Sequence, residues 1–416
     1  MDGVIVDFGH QIDIINKDPK ISKEHKSSPE TRYYPSDRYS FFVHLLSYTN
    51  TMKKLIFLLL LCTFNFFGQE NSQKSSEIIF HGKDFFRLEG TIIADSLKEN
   101  RYDRLPASYK DIVREQVWEL SKSSTGLSIR FITNSSIIKV KWEILNDLKM
   151  DHMPETGIKG VDLYFRNKDK WQYLNTGRPK GKLNEYTLVE NMTVEEREYK
   201  VYLPLYDGVK NIEIGIDSSS FIIVPDRNLE KPIIFYGTSI TQGGCASRPG
   251  MAHTNIINRK LDRDILNFGF SGNGRMEEPI AKLISEFDAK IYVIECMPNM
   301  SSPQNITERT IPLINTIREK NPNTPIILVD LFKATFSVLN NKVLEWGKGM
   351  DNALKIEYQK MIDNGYDNLF YFESLKALGD DQEGTVDGVH FTDVGFIRYA
   401  DFLIENFKEL GLINQD

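Results

Sequence analysis

The sequence predicts an all-β sandwich followed by an α/β domain whose parallel sheet is covered by helices on both faces. Two textures along the chain carry that prediction. Residues 78–224 alternate apolar and polar side chains over short runs, whereas residues beyond the polar linker 226–230 alternate apolar runs with helix-length amphipathic segments. A third observation sets the N-terminal limit of the folded part: residues 1–69 fit neither pattern.

Within those first residues, 52–69 read MKKLIFLLLLCTFNFFGQ. Lys53 and Lys54 precede an almost unbroken apolar run, and Gly68 follows it, which is the order of a secretory signal: positive end, apolar core, small residue near the cut. The run from Leu55 to Phe67 is 13 residues, short of the roughly 20 that a spanning helix needs. Residues 1–51 show no period, so translation is expected to start at Met52, with 1–51 an upstream extension and the product periplasmic or secreted. A cytoplasmic tail before a short signal anchor is the alternative. Cys62 follows Leu61, where a lipoprotein signal would carry a small residue.

The β prediction rests on segments 126–133 (GLSIRFIT), 136–144 (SIIKVKWEI), 161–166 (VDLYFR), 199–203 (YKVYL) and 211–216 (NIEIGI). Period-two alternation between Asn, Gly, Asp and Pro turns marks strands with one buried face. Many such strands in succession suggest a sandwich. Trp118, Trp142 and Trp171 fall in this half; an aromatic face could meet carbohydrate, but core packing is the commoner use of tryptophan. In the second half, 232–236, 265–268, 290–294, 325–330 and 369–372 are expected strands. Segments 254–261, 277–287, 306–320, 348–364 and 393–410 are expected helices by apolar spacing. Strands alternating with helices imply a parallel sheet, whose ligands sit at the carboxyl ends of the strands.

Composition narrows the function classes. The 416 residues carry 51 Lys and Arg against 58 Asp and Glu, a net charge of −7, so there is no basic surplus for nucleic acid. Three cysteines cannot build a disulfide framework, and no pair has zinc-site spacing.

The chemistry is sought at the strand ends. The first α/β strand runs into Tyr236-Gly237-Thr238-Ser239-Ile240-Thr241. A Gly ahead of a Ser at a strand-to-helix turn permits a bend that exposes the hydroxyl, although a serine there also serves as a helix cap. The second strand ends in Asn267-Phe268-Gly269-Phe270-Ser271-Gly272-Asn273-Gly274, where glycines free backbone N–H groups to face a phosphate or an oxyanion. The spacing is not that of a dinucleotide site. The third ends in Glu295-Cys296-Met297-Pro298-Asn299-Met300, a turn whose Asn amide faces the same edge. Before the last helix lies Thr385-Val386-Asp387-Gly388-Val389-His390-Phe391. Asp387 is spaced to accept the Nδ1–H of His390 and leave Nε2 as a base, unless His390 is only loop surface. Of the histidines after residue 69, namely His81, His152, His253 and His390, only His390 has a carboxylate three residues upstream. His253, close in sequence to Ser239, is the runner-up and is expected at a helix start.

Taken in order, Gly-Thr-Ser, Ser-Gly, Pro-Asn and Asp-x-x-His over about residues 230–412 resemble the SGNH (GDSL-type) hydrolases. The resemblance implies a flavodoxin-like parallel sheet, Ser239 as nucleophile, His390 as base and Asp387 as its orienting acid. It also implies an oxyanion hole from the Ser239 and Gly272 N–H groups and the Asn299 amide, with no metal or organic cofactor. Two positions depart from the pattern: Thr238 stands where many relatives have Asp, and Phe391 where Pro often follows the His, which alters the expected pocket wall.

Gly160-Val161-Asp162-Leu163-Tyr164 resembles the GxDLY motif of a β-sandwich (jelly-roll-like) domain at 78–225 that precedes one SGNH branch. That branch contains esterases of acylated sugars and an acyltransferase. Gly243–Gly250, with Arg248, resembles the same branch and implies that Arg248 contacts substrate or shapes the pocket; an ordinary surface salt bridge is the alternative. Cys245 and Cys296 both fall near the implied site, and an oxidising destination would let them pair. The implied substrate is an acylated carbohydrate or other small ester. The alternatives are an acyltransferase using the same acyl-enzyme and a carbohydrate-binding protein with an inactive hydrolase half.

Overall fold

The alternation in the first half becomes β-strands of two antiparallel sheets in the computed structural model, which describes residues 77–414 apart from residue 333. The signal-like segment 52–69 and the extension 1–51 lie outside the described residues. In chain order the strands are β1 (Ile78–His81), β2 (Arg87–Glu89), β3 (Ser128–Thr133), β4 (Ile138–Ile144), β5 (Val161–Asn167), β6 (Lys170–Gly177), β7 (Leu183–Val189), β8 (Arg197–Tyr202), β9 (Val209–Asp217) and β10 (Ile222–Ile223). Helix α1 (Glu115–Ser121) and the single turn α2 (Glu155–Lys159) interrupt them. One sheet is ordered β1-β9-β4-β7, the other β10-β3-β8-β5-β6 with β2 also paired to β3.

Strand β4 shows why these residues make a sandwich. Ile138, Val140, Trp142 and Ile144 are buried while the residues between them are only partly so. They meet Phe131, Leu163 and Val201 of the opposite sheet in one apolar core, the arrangement that period-two side chains dictate. The β texture does not extend through residues 90–125. That stretch holds α1, and its Val117 and Trp118 join the core of the parallel sheet instead. Trp118, Trp142 and Trp171 are all buried.

The second half runs β11 (Ile233–Gly237), α3 (Ser239–Gln242), α4 (His253–Leu261), β12 (Ile265–Gly269), α5 (Glu278–Ser285), β13 (Ile291–Glu295), α6 (Pro303–Lys320), β14 (Ile326–Val329), α7 (Asn341–Asp363), β15 (Leu369–Phe372) and α8 (Asp393–Glu409). All pairs are parallel, in the order β12-β11-β13-β14-β15. Side chains alternate between two cores: Ile234, Tyr236 and Ile294 lie with α5, α6 and α7, and Ile233, Phe235 and Val293 with α4 and α8. Both faces are thus covered, which is why β11, β12 and β13 are buried at every position. Helices α6 and α7 start earlier than the predicted 306 and 348, because the Ser302 and Asn340 side chains cap them by accepting the Asn305 and Val343 N–H groups.

Strand β12 is an edge, and an uncovered edge leaves backbone groups without partners. The antiparallel half covers it. Arg104 Nη1 donates to the carbonyls of Asn267 (3.1 Å) and Gly269 (2.7 Å), and its remaining nitrogens donate to Ser123 and Leu120 carbonyls. Gly126 (φ +76°) lies so close that a Cβ there would stand 2.5 Å from the Asn267 Cβ. From Glu77 onward the chain is one compact unit. Among the described residues no helix is long and apolar enough to cross a membrane.

Candidate active site

The strand order reverses at β11, with β12 on one side and β13 on the other. In doubly wound sheets the crevice at the carboxyl ends of such strands receives ligands. Ser239 follows β11 there as the first residue of α3. The helix cap is Thr238, whose hydroxyl accepts the Ile240 N–H in a reciprocal capping box with Thr241, so the Ser239 hydroxyl is not spent on capping. This explains how a Thr serves where relatives carry Asp. Gly237 has no substitute, since a Cβ would lie 1.9 Å from Thr241 Oγ1. Thr241 also donates to the buried Glu295 carboxylate at the end of β13 (2.8 Å), which accepts from Tyr399 as well (2.7 Å). The Ser239 turn is therefore tied to the neighbouring strand and to α8.

The loop before α8 brings His390 to the serine. Ser239 Oγ is 2.9 Å from His390 Nε2, and Asp387 Oδ2 is 2.7 Å from His390 Nδ1. A carboxylate only accepts, so Nδ1 carries the proton and Nε2 accepts from the serine hydroxyl. The Val386 N–H donates to the His390 carbonyl (2.7 Å), closing the loop, and Gly388 at φ +88° supplies its left-handed turn. Burial alone would raise the Asp387 carboxyl. The His390 ring and the His390 and Val389 N–H groups outweigh it and hold the carboxyl well below the usual carboxylate range. Asp387 therefore stays ionised through mild acid. Phe391, which stands where Pro often follows the His, is fully buried against Phe332, Phe396 and Tyr399, and so anchors the loop.

The loops after β12 and β13 carry Gly272 and Asn299. Gly272 sits at φ +67°, and a Cβ there would meet nothing within 4 Å, so the Cβ side of its backbone borders open space. Asn299 accepts the Gly274 N–H on Oδ1 (3.2 Å), an arrangement that turns its NH₂ donors away from that contact. The 272–274 loop is pinned from the antiparallel half, where Arg114 donates to Asn273 Oδ1 (2.6 Å) and to Glu277 (2.6 Å). Gln242 accepts the Ser271 N–H (2.9 Å) and donates to the Leu205 carbonyl (3.2 Å). Tyr206 donates to the Ser239 carbonyl (3.4 Å). Arg114, Tyr206 and Leu205 carry no local motif and were not legible in the sequence.

Arg248 reaches from the 243–250 loop to the antiparallel half. Its Nη1 donates to Asp162 Oδ2 (2.7 Å) and to the Tyr164 hydroxyl (2.6 Å), and Gly250 N–H donates to the same carboxylate oxygen (2.7 Å). On β5, Val161 and Leu163 enter the sandwich core, which leaves Asp162 and Tyr164 on the opposite face to hold the 243–250 loop. The GxDLY motif is thus a latch between the halves. The runner-up His253 is fully buried at the start of α4 with Nε2 3.2 Å from Glu295, away from any base role.

Cys245 and Cys296 do not pair: both are free and buried. Cys296 donates to the Tyr236 carbonyl inside the core, and burial pushes the Cys245 thiol up to about 12. Alkylation of native protein should leave both unmodified, and alkylation after denaturation without reductant should label both; a peptide-map disulfide between them would contradict this.

Comparison with known proteins gives the following. Residues 230–408 match the GDSL-like lipase/acylhydrolase family, and residues 81–222 match the N-terminus of SGNH-hydrolase-type esterases. A GDSL-like lipase from Bacteroides ovatus is 34% identical, with 81% of this chain and 99% of that one covered and a TM-score of 0.77. The salicylyl-acyltransferase SsfX3 from a tetracycline biosynthetic pathway is 15% identical (81% and 98% covered, TM-score 0.66). A family two carbohydrate esterase from Clostridium thermocellum in complex with cellohexaose is 14% identical (70% and 94% covered, TM-score 0.51). No curated protein sequence matches the chain.

Proposed function

Because the chain belongs to the GDSL-like lipase/acylhydrolase (SGNH) family, we propose that it is an exported serine esterase that removes acyl groups, acetyl in particular, from carbohydrate. The observation that carries the reading is the chain Ser239 Oγ to His390 Nε2 (2.9 Å) and His390 Nδ1 to Asp387 Oδ2 (2.7 Å) at the sheet's carboxyl edge. We assign the sandwich to residues 78–225 and the catalytic domain to 230–412. Export rests on the 52–69 segment.

Chemistry follows from the geometry. His390 takes the serine proton as Ser239 Oγ attacks the ester carbonyl, and Asp387 stabilises the imidazolium. The carbonyl oxygen becomes an oxyanion facing the Ser239 and Gly272 N–H groups and the Asn299 amide. His390 then returns the proton to the leaving alcohol. Water, deprotonated by His390, releases the acid from the acyl-serine. Asn299→Ala removes one donor and should lower kcat about 100- to 1,000-fold with KM little changed; a steady-state assay on a small acetate ester checks it.

Acetate release from acetylated xylan, xyloglucan and pectin tests the substrate class. Hydrolysis of simple esters with no release from any of the three would sink the carbohydrate part. Transfer uses the same acyl-serine with an alcohol in place of water, so product analysis with an added alcohol acceptor separates it from hydrolysis.

A further inference from the structure

A second histidine stands beside the first. The loop between β4 and α2 carries Asp151 and His152, and the His152 ring centroid is 5.6 Å from that of His390. Cys245 completes the group. It is buried and held at φ +72°, a region that residues other than Gly, Asn and Asp seldom occupy. The turn that holds it packs on the base: a Cβ at Gly244 would lie 3.4 Å from His390 Cδ2. A ring nitrogen of each histidine and the Cys245 Sγ lie within 4.8 Å of one another.

The surroundings suit a cation. Asp151 Oδ1 is 2.9 Å from His152 Nδ1, and Asp387 Oδ2 is 2.7 Å from His390 Nδ1. Each carboxylate holds its ring with Nδ1 protonated and Nε2 presenting a lone pair, as carboxylates commonly do for metal-binding histidines. Two imidazoles and a thiol favour Zn²⁺ and similar borderline ions over Ca²⁺ or Mg²⁺. Metal–ligand bonds of roughly 2.0–2.3 Å require the group to close by about 1 Å, which His152, on a side chain 41% exposed, can supply.

We propose that His152, Cys245 and His390 form a site for Zn²⁺ or a similar borderline divalent cation, and that its occupancy reversibly switches off the esterase. The inhibitory part rests on His390 being the base. On binding, the cation gains bonds to the two imidazole nitrogens and to Sγ, the thiol releases its proton to solvent, and water takes the fourth position. The Ser239 Oγ–H···Nε2 hydrogen bond breaks, and the lone pair that would accept the serine proton is occupied.

Co²⁺, a spectroscopic stand-in, tests the site on full-length metal-free protein without any turnover. One equivalent should give a thiolate charge-transfer band in the near ultraviolet, absent from Cys245→Ser and requiring at least tenfold more Co²⁺ in His152→Ala. Asp151→Asn should weaken binding about 10- to 100-fold. Zn²⁺ should inhibit acetate-ester hydrolysis, EDTA should restore it, and His152→Ala should need at least tenfold more Zn²⁺ relative to its own metal-free rate. Should Cys245→Ser fail to fold, the exposed His152→Ala decides. The absence of a thiolate band in folded wild type overturns the site, and a bound cation that leaves the rate unchanged overturns the inhibition. A protein that hydrolyses no ester removes the functional reading while the Co²⁺ titration still decides the site.

Discussion

Ser239→Ala should abolish turnover of a small acetate ester, with kcat falling on the order of 10⁶-fold, as when the nucleophile of another serine triad is removed. The loss is chemical, because the substitution touches little else. Thr238, not Ser239, caps α3, and alanine is a good residue at the first position of a helix. Thermal unfolding of the variant should match wild type, and acetate release should be at background. Adding Asp387→Asn should cost nothing further, since triad members act as a unit. A fluorophosphonate should label wild type at Ser239 and leave the variant unlabelled. Retained turnover in the variant would falsify Ser239 as nucleophile. An intact wild type that neither labels nor turns over would favour the carbohydrate-binding alternative.

Much of this site was legible because its parts are local. Gly237-Thr238-Ser239 and Asp387-x-x-His390 each declare their chemistry within a few residues, and a parallel sheet delivers strand ends to one edge whatever lies between them. Strands β11 to β15 were legible for the same reason, as short, mostly apolar runs. Strand β6 was not: its burial pattern shows no period, and its register against β5 shifts between Leu163 and Tyr164. Helix α1 was hidden in a stretch expected to be β, since its apolar face serves the other half's core. Asp151-His152 was overlooked although the carboxylate is adjacent; what it lacked was any local sign of the 5.6 Å approach to His390. Arg104, Arg114 and Tyr206 are ordinary residues in sequence. Their roles exist only because the sandwich covers β12.

Arg248→Ala measures what that docking is worth, and it should cost about 3–5 kcal/mol at neutral pH by stranding a buried carboxylate. Asp162 is fully buried, and burial pushes its carboxyl up while Arg248 is the strongest influence pulling it down. With the guanidinium gone, the folded protein binds a proton at Asp162 more tightly than the unfolded chain, whose Asp titrates near about 3.9. Stability of the variant relative to wild type then falls as pH rises above that value, by up to about 1.4 kcal/mol per pH unit until the folded carboxyl ionises. Below pH 4 the difference should shrink. Adding Asp162→Asn should recover most of the loss, because the amide keeps an acceptor for the Gly250 N–H and carries no charge. Denaturant unfolding of the three proteins between pH 4 and 8 reads all of this. A penalty that is flat in pH and indifferent to Asp162→Asn would sink the latch. The same variants address Arg248 as a substrate contact: assayed where each is fully folded, Arg248→Ala should leave KM for an acetylated oligosaccharide near wild type. A rise in that KM with the small-ester KM unchanged would return Arg248 to the substrate, because stability alone moves both together.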